Sequence, residues 1–180
     1  KYLKNFIKIF LYKLNSLINS TESCKTKIIY VVEKANWSIK WDGEYISSEI
    51  NKRFNSKIIS TSEIPSLNFK NKIVHFGSQY MWVDWYGSLP KNKDYVVSFF
   101  HGKKSDSLEV EKHIEEFIKS QNSIYKVVTA SSLVFERLLD WGIPKSKIEV
   151  IPIGVDTNLF SIPKEEKRLK IRRKLGLKNE

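Results

Sequence analysis

His101 is the residue whose type and position in the sequence best suit chemistry. It directly follows the apolar run 95–100, which predicts a β-strand, and it precedes Gly102. Open parallel sheets bind ligands outside the carboxyl ends of their strands, and a neutral imidazole there can both donate and accept a hydrogen bond. We therefore predict that His101 and Gly102 lie at a ligand site. A histidine that only caps the following turn is the alternative interpretation.

Polar and aromatic residues follow two other predicted strand ends, after the runs Ile28–Val32 and Ile73–Phe76. Their carboxylate, amide and hydroxyl groups can hydrogen-bond a hydroxylated ligand. Trp37 and Trp41 suit stacking on a ligand, because an aromatic face buries apolar atoms while its rim stays wet; packing in the core or under a lid is the alternative. We interpret the aromatic-rich stretch 79–86 as a loop. The predicted binding residues are Glu33, Asn36, Trp37, Gly77, Ser78 and Asp84.

Other catalytic chemistries find no support in the sequence. His75 lies within an apolar run and His113 within a charged helical pattern, so neither has partners at metal-ligand spacing. The absence of a Ser-His-Asp order, a Walker-type loop and an HExxH motif argues against a hydrolase, an NTPase and a zinc protease. We predict no metal site. Cys24 is the only cysteine, which excludes an intrachain disulfide and favours a reducing cytosol.

The elements that must position these residues alternate along the chain. Short apolar runs are separated by longer helical patterns, which implies crossover connections and a parallel sheet. We therefore predict an α/β fold, a parallel sheet with flanking helices. The predicted strands are Ile28–Val32, 58–59, Ile73–Phe76, 95–100, 127–128 and 148–151, and the predicted helices are 43–54, 107–121, 131–141 and 164–175.

Residues 1–18 carry apolar side chains at helical spacing with lysines on another side, which predicts a basic amphipathic helix. Such a helix lies in an anionic membrane surface or packs its apolar side on the domain, and both interpretations stay open. The formal net charge of +11 favours an anionic partner. Nucleic acid is not expected, because the basic residues are not concentrated beside the aromatic stretch. No run reaches the ~18 apolar residues of a membrane span, so we predict a cytoplasmic protein that is peripheral on the inner membrane face if residues 1–18 bind it.

The last third of the chain contains the segments VVTASS at 127–132, LLDWGIP at 138–144 and IEVIPIGVDTNLF at 148–160. In order and spacing they resemble the family 4 glycosyltransferases of GT-B architecture, where they mark the last strand, helix and strand of the N-terminal domain and the passage to the next. RRKLGL at 172–177 resembles the first helix of the C-terminal domain. The resemblance implies a Rossmann-like acceptor-side domain at 25–156. Residues 1–24 are then a helix and linker, and residues 157–180 an interdomain linker and the start of a C-terminal domain.

The resemblance implies a retaining glycosyltransferase that moves a sugar from a nucleotide-sugar donor to a glycan or lipid-linked acceptor, without a metal or other cofactor. It gives His101 the place of a catalytic-cleft histidine. The candidates for acceptor binding are then Glu33, Asn36, Trp37, Gly77, Ser78, Asp84 and Gly102. The donor-binding Glu-x7-Glu motif of the family belongs to the C-terminal domain, so we expect this chain alone to be inactive. One departure is the loop after Val32, which has no glycine before Gly43, whereas the family's first strand is usually followed by a glycine-rich loop.

Two other functions remain as alternatives. One is a GT-B-shaped sugar-nucleotide epimerase, and the other is a non-catalytic, basic Rossmann-like binding module. A following Rossmann-like half with paired glutamates would favour sugar transfer over the binding module.

Overall fold

The computed structural model describes residues 28–91, 94–157 and 160–178. The predicted amphipathic helix at 1–18 lies outside the described residues. The strands are β1 (Ile28–Val32), β2 (Ser56–Ser60), β3 (Ile73–Phe76), β4 (Tyr95–Ser98), β5 (Lys126–Thr129) and β6 (Ile148–Val150). The α-helices are α1 (Ser38–Ile50), α2 (Gln79–Trp85), α3 (Leu108–Lys119), α4 (Ser132–Asp140) and α5 (Glu165–Lys174), with short 3-10 helices at Thr61–Ser66, Tyr86–Ser88, Gln121–Ser123 and Lys145–Lys147.

The six strands form one sheet in the order β2-β1-β3-β4-β5-β6. Every neighbouring pair is parallel, so the predicted α/β fold with a parallel, Rossmann-like sheet is confirmed. From β1 the chain crosses to β2 on one side, and it then passes back over β1 to β3 on the other side. The order therefore reverses between β1 and β3, and the loops that leave these two strands diverge there.

Alternating strand residues place different chemistry on the two faces of the sheet. Val31 and Phe76 are fully buried on one face, where the Phe76 ring lies 5.5 Å from the Trp82 ring of α2. Tyr30 and His75 point to the opposite face, and their ring centroids are 4.7 Å apart. One face thus carries the main apolar core, while the other carries polar aromatic side chains near the carboxyl edge.

Helix α1 packs closely on the face that carries Tyr30. It begins at Ser38, five residues before the start that the sequence predicted. Gly43, the predicted start, lies inside the helix, at a point where an added Cβ would be 2.7 Å from Cδ1 of Tyr30. The glycine therefore allows the close approach of helix and strand rather than marking a helix end.

The aromatic-rich stretch after β3 forms helix α2, so its interpretation as a loop was wrong. The Ser78 side chain accepts a hydrogen bond from the amide of Tyr80 over 3.1 Å and caps the helix. Trp82 is fully buried, and its indole Nε1 donates to Oγ of Ser120 over 2.6 Å. Because the helix has only seven residues, it is too short for a clear periodic pattern, and core packing stabilises it instead.

The chain leaves the sheet after β6. Residues 151–155 are exposed, and no residue of α5 is buried. This part of the described chain therefore adds nothing to the core of the sheet domain. Each helix in the described part of the chain is too short or too polar to cross a membrane.

Candidate functional site

Three loops leave the carboxyl edge of the sheet next to one another, after β1, β3 and β4. The Gly77 amide donates to the Val31 carbonyl over 3.0 Å, which holds the end of β3 beside the end of β1 at the point where the strand order reverses. An added Cβ at Gly77 would lie 2.7 Å from Cγ2 of Ile39 and 2.9 Å from the Tyr30 hydroxyl. Gly77 is buried, so its role at the edge is to let Ile39 and Tyr30 approach the backbone closely.

The loop after β4 presents His101 at the same edge. The imidazole is exposed, while the main-chain carbonyl of His101 accepts a hydrogen bond from Nε2 of Gln79 over 3.0 Å. Gln79 is only 1% exposed, so a buried amide anchors the loop that carries an exposed imidazole. Gly102 adopts a φ of 115°, a conformation that favours glycine. The conformation of this turn therefore depends on Gly102, and the position of His101 depends on the hydrogen bond from Gln79.

The Tyr80 ring of α2 lies near one ring of this loop and one ring of α3. The Tyr80 ring lies 5.8 Å from the His101 ring and 4.2 Å from the His113 ring, on which it stacks at 30°. Nε2 of His113 is buried and has no hydrogen-bond partner among the described residues. Burial lowers the pKa of His113, and the Asp84 carboxylate partly offsets this effect. The imidazole of His113 is therefore largely neutral at pH 7, and it packs against the Tyr80 ring.

Asp84 is not brought to the sheet edge with the other predicted site residues. It lies near the end of α2, about 8 Å along the helix axis from Gln79, and its charge acts on His113. Ser78 does lie at the edge, but it is 2% exposed and its hydroxyl caps α2.

The loop after β1 forms the other side of the edge. Glu33 is half-buried and Asn36 is exposed. The Asn36 side-chain oxygen accepts a hydrogen bond from Nζ of Lys40 over 3.4 Å. Trp37 immediately precedes α1 and is 63% exposed. Polar groups and an aromatic face are therefore available to a ligand on this side.

A polar cluster lies beneath the edge, on the face covered by α1. Nε2 of His75 and Oγ of Ser98 are 2.9 Å apart, and Ser98 also hydrogen-bonds the Tyr30 side chain. Burial lowers the pKa of His75 to about 4. Burial, together with the charge of Asp42, raises the pKa of Tyr30. Both rings are therefore neutral at pH 7, which agrees with a structural role for His75.

Gln79 and Tyr80 belong to this edge, although neither is among the predicted binding residues. Both lie in the stretch 79–86, which the sequence predicts as a loop, and no spacing rule joins Gln79 to His101 or Tyr80 to His113. The strand-end rule that pointed to His101 would have found Gln79, which comes only three residues after β3.

Comparison with known proteins identifies no relative of this chain: no protein-family model matches it, and no curated protein matches it significantly. Among the described residues, no group of three or more His, Cys, Asp and Glu side chains is placed to hold a metal ion. The arrangement offers hydrogen bonds from His101 and aromatic surface from Tyr80 and Trp37 to a ligand at the edge.

Proposed function

We propose that this chain is the acceptor-binding half of a retaining glycosyltransferase that moves a sugar from a nucleotide-sugar donor to a glycan or lipid-linked acceptor. The observation that carries the proposal is the His101 loop. An exposed imidazole stands at the edge where parallel sheets bind ligands, next to the Tyr80 ring, on a loop anchored by buried Gln79. The sequence resemblance of residues 127–160 to family 4 glycosyltransferases supports the same function.

In this proposal His101 hydrogen-bonds the acceptor hydroxyl, while Asn36 and Trp37 bind the acceptor from the other side of the edge. The acceptor oxygen forms a bond to the anomeric carbon as the bond from that carbon to the nucleoside diphosphate breaks, and the departing diphosphate takes up the hydroxyl proton. We assign no general base to this chain. Its contribution is to hold the acceptor in a reactive orientation, and a second domain presents the donor.

A membrane location forms a separate part of the proposal. The charge of +11 and the helical spacing of apolar residues at 1–18 favour binding to the anionic inner face of a membrane. Removal of residues 1–20 is expected to abolish co-sedimentation with acidic vesicles. Unchanged co-sedimentation would remove the membrane from the proposal and leave sugar transfer unaffected.

Donor turnover tests the catalytic proposal. The 180-residue chain and the product of its full reading frame are compared with a panel of nucleotide-sugars, with and without membrane extract as the source of acceptor. We expect the full product to consume a donor and extend a glycan, and the 180-residue chain to do neither. Turnover by the 180-residue chain would contradict the division of labour between two domains.

A variant in the full product tests the site. His101→Ala is expected to reduce transfer about a hundredfold, the usual scale for losing a positioned hydrogen bond at the reacting group. Tyr125→Phe serves as the control, because Tyr125 is exposed and directly precedes β5 at the opposite edge. Equal activity of His101→Ala and the parent would remove His101 from the site. Donor isomerisation without an acceptor would favour the epimerase, and binding without turnover the non-catalytic module.

A further inference from the structure

Exposed aromatic side chains form a line that starts just before helix α1 and continues along its first two turns. Trp37, Trp41 and Tyr45 are 63%, 55% and 53% exposed. Trp41 and Tyr45 are four residues apart in the helix, which places them on one side of it. Trp37 directly precedes the first turn, and its carbonyl accepts a hydrogen bond from the Trp41 amide over 3.4 Å. At a rise of 1.5 Å per residue the line extends about 12 Å. We call these three residues the aromatic line.

The opposite side of α1 makes the contacts that hold the helix on the sheet. Gly43 and Ser47 are the buried residues of α1, and a Cβ at Gly43 would be 2.7 Å from the Tyr30 ring. The aromatic line therefore faces away from the sheet. Rings of this size in adjacent exposed positions are typical of a binding surface.

The charge around the aromatic line selects the kind of ligand. Residues 33–53 contain four acidic and four basic residues and are neutral overall, although the whole chain carries +11. Lys40 pairs with Glu44 over 3.8 Å, and Lys52 with Glu49 over 2.6 Å. A surface without excess positive charge does not complement phosphates or an anionic membrane. It complements a neutral ligand with many hydroxyl groups.

Sugar rings meet both requirements of this surface. Their C–H faces are apolar and stack on aromatic rings, while their hydroxyls bond to carboxylates and serine hydroxyls at the rim. Ser38 and Ser48 are exposed beside the aromatic line, and Ser48 already donates to the Tyr45 carbonyl over 2.8 Å, which leaves its oxygen as an acceptor. Trp37 is also the residue of the line that lies at the carboxyl edge. A chain-like ligand bound along the aromatic line would therefore have one end at the candidate site.

We propose that the aromatic line binds a neutral glycan chain and that the acceptor is an elongated glycan whose growing end reaches the His101 edge. The second half of this proposal rests on the proposed function, whereas glycan binding by the line does not. Binding to several rings predicts an affinity that rises with chain length until the line is covered.

Calorimetric titration of the 180-residue chain with gluco-, manno- and galacto-oligosaccharides of increasing length tests the binding. We expect at least one series to bind with rising affinity, and Trp41→Ala and Tyr45→Ala each to weaken it by roughly threefold to tenfold. Trp41→Phe is expected to restore part of the affinity, because it keeps a ring. Tyr125→Ala is the matched control, since Tyr125 is 59% exposed but lies at the other edge. Circular dichroism verifies that the variants fold.

Several results would overturn the aromatic line as a glycan site. They are binding of none of the three series, equal affinity of Trp41→Ala and the parent, and vesicle binding that depends on Trp41, which would assign the line to a lipid surface. The proposed function fails separately. If Trp41→Ala loses glycan binding but the full product never consumes a donor, the aromatic line is a glycan-binding site and the proposal of sugar transfer is wrong. If both hold, Trp41→Ala raises KM for long acceptors by a larger factor than KM for short ones.

Discussion

The side-chain amide of Gln79 donates a hydrogen bond to the main-chain carbonyl of His101 over 3.0 Å. This bond joins the first residue of α2 to the loop after β4, so two neighbouring strand ends act as one unit. Gln79 is almost completely buried, whereas His101 is exposed. An exposed residue at the carboxyl edge is therefore positioned by a buried one.

Loss of this bond is expected to loosen the His101 loop. Gln79→Ala removes a buried amide and leaves the His101 carbonyl without that donor, which costs about 1–3 kcal/mol of the free energy of unfolding. Hydrogen exchange at the Gly102 and Lys103 amides should accelerate beyond the global effect. Asn36→Ala, at an exposed position of the facing loop, provides the control. Unchanged exchange at Gly102 in Gln79→Ala would show that the loop is held by other contacts.

Gly77→Ala is expected to destabilise the domain by about 1–3 kcal/mol, because the new methyl group would lie under 3.0 Å from Ile39 and Tyr30. Gly154→Ala is a matched control, since an added Cβ there meets nothing within 4 Å, and its effect should stay below about 0.5 kcal/mol. Urea denaturation measures both free energies of unfolding. Equal values for the two variants would contradict the close packing of α1 against the end of β3.

His75 is expected to make the domain less stable in acid. Its pKa is about 4 in the folded protein and 6.5 as the ordinary value, so the unfolded state binds the proton more readily. The stability contributed by neutral His75 is complete above pH 6.5 and is lost as the pH falls from about 6.5 to about 4. The loss is at most about 3 kcal/mol.

The variant His75→Gln isolates this contribution. Glutamine keeps a hydrogen-bonding group near Ser98 but does not titrate, so the free energy of unfolding should depend less on pH in the variant than in the parent. The difference between the two proteins matters, because burial also lowers the pKa of His113 and raises that of Asp42. Parallel pH profiles for the two proteins would rule out a buried, neutral His75.

The charge of Asp84 is expected to be visible in the titration of His113. Asp84→Asn removes the carboxylate that raises the pKa of His113 and leaves the larger, lowering effect of burial. The pKa of His113 should therefore fall further, as measured by the NMR shifts of its ring protons. Asp140→Asn on α4 is the control and should leave the titration unchanged. An unchanged pKa of His113 after Asp84→Asn would show that the Asp84 carboxylate does not act on this imidazole.

The parallel α/β architecture and the position of His101 after a strand could both be predicted from the order of residues along the chain. Apolar runs such as Ile28–Val32 and Ile73–Phe76 are short, uninterrupted and separated by helical patterns, so local composition is enough to define them. Since parallel strands end at one edge, His101, Gly77 and Glu33 could be assigned to a common edge before any contact was known.

The contacts between these residues depend on the packing of the folded domain. The seven residues of α2 are too few to show the periodic pattern that predicts a helix. The helix is stabilised by the burial of Trp82 and its hydrogen bond to Ser120. Gln79 meets His101, and Tyr80 meets His113, across 22 and 33 residues of sequence respectively. Such contacts depend on how helices pack over the sheet, and no local pattern encodes that packing.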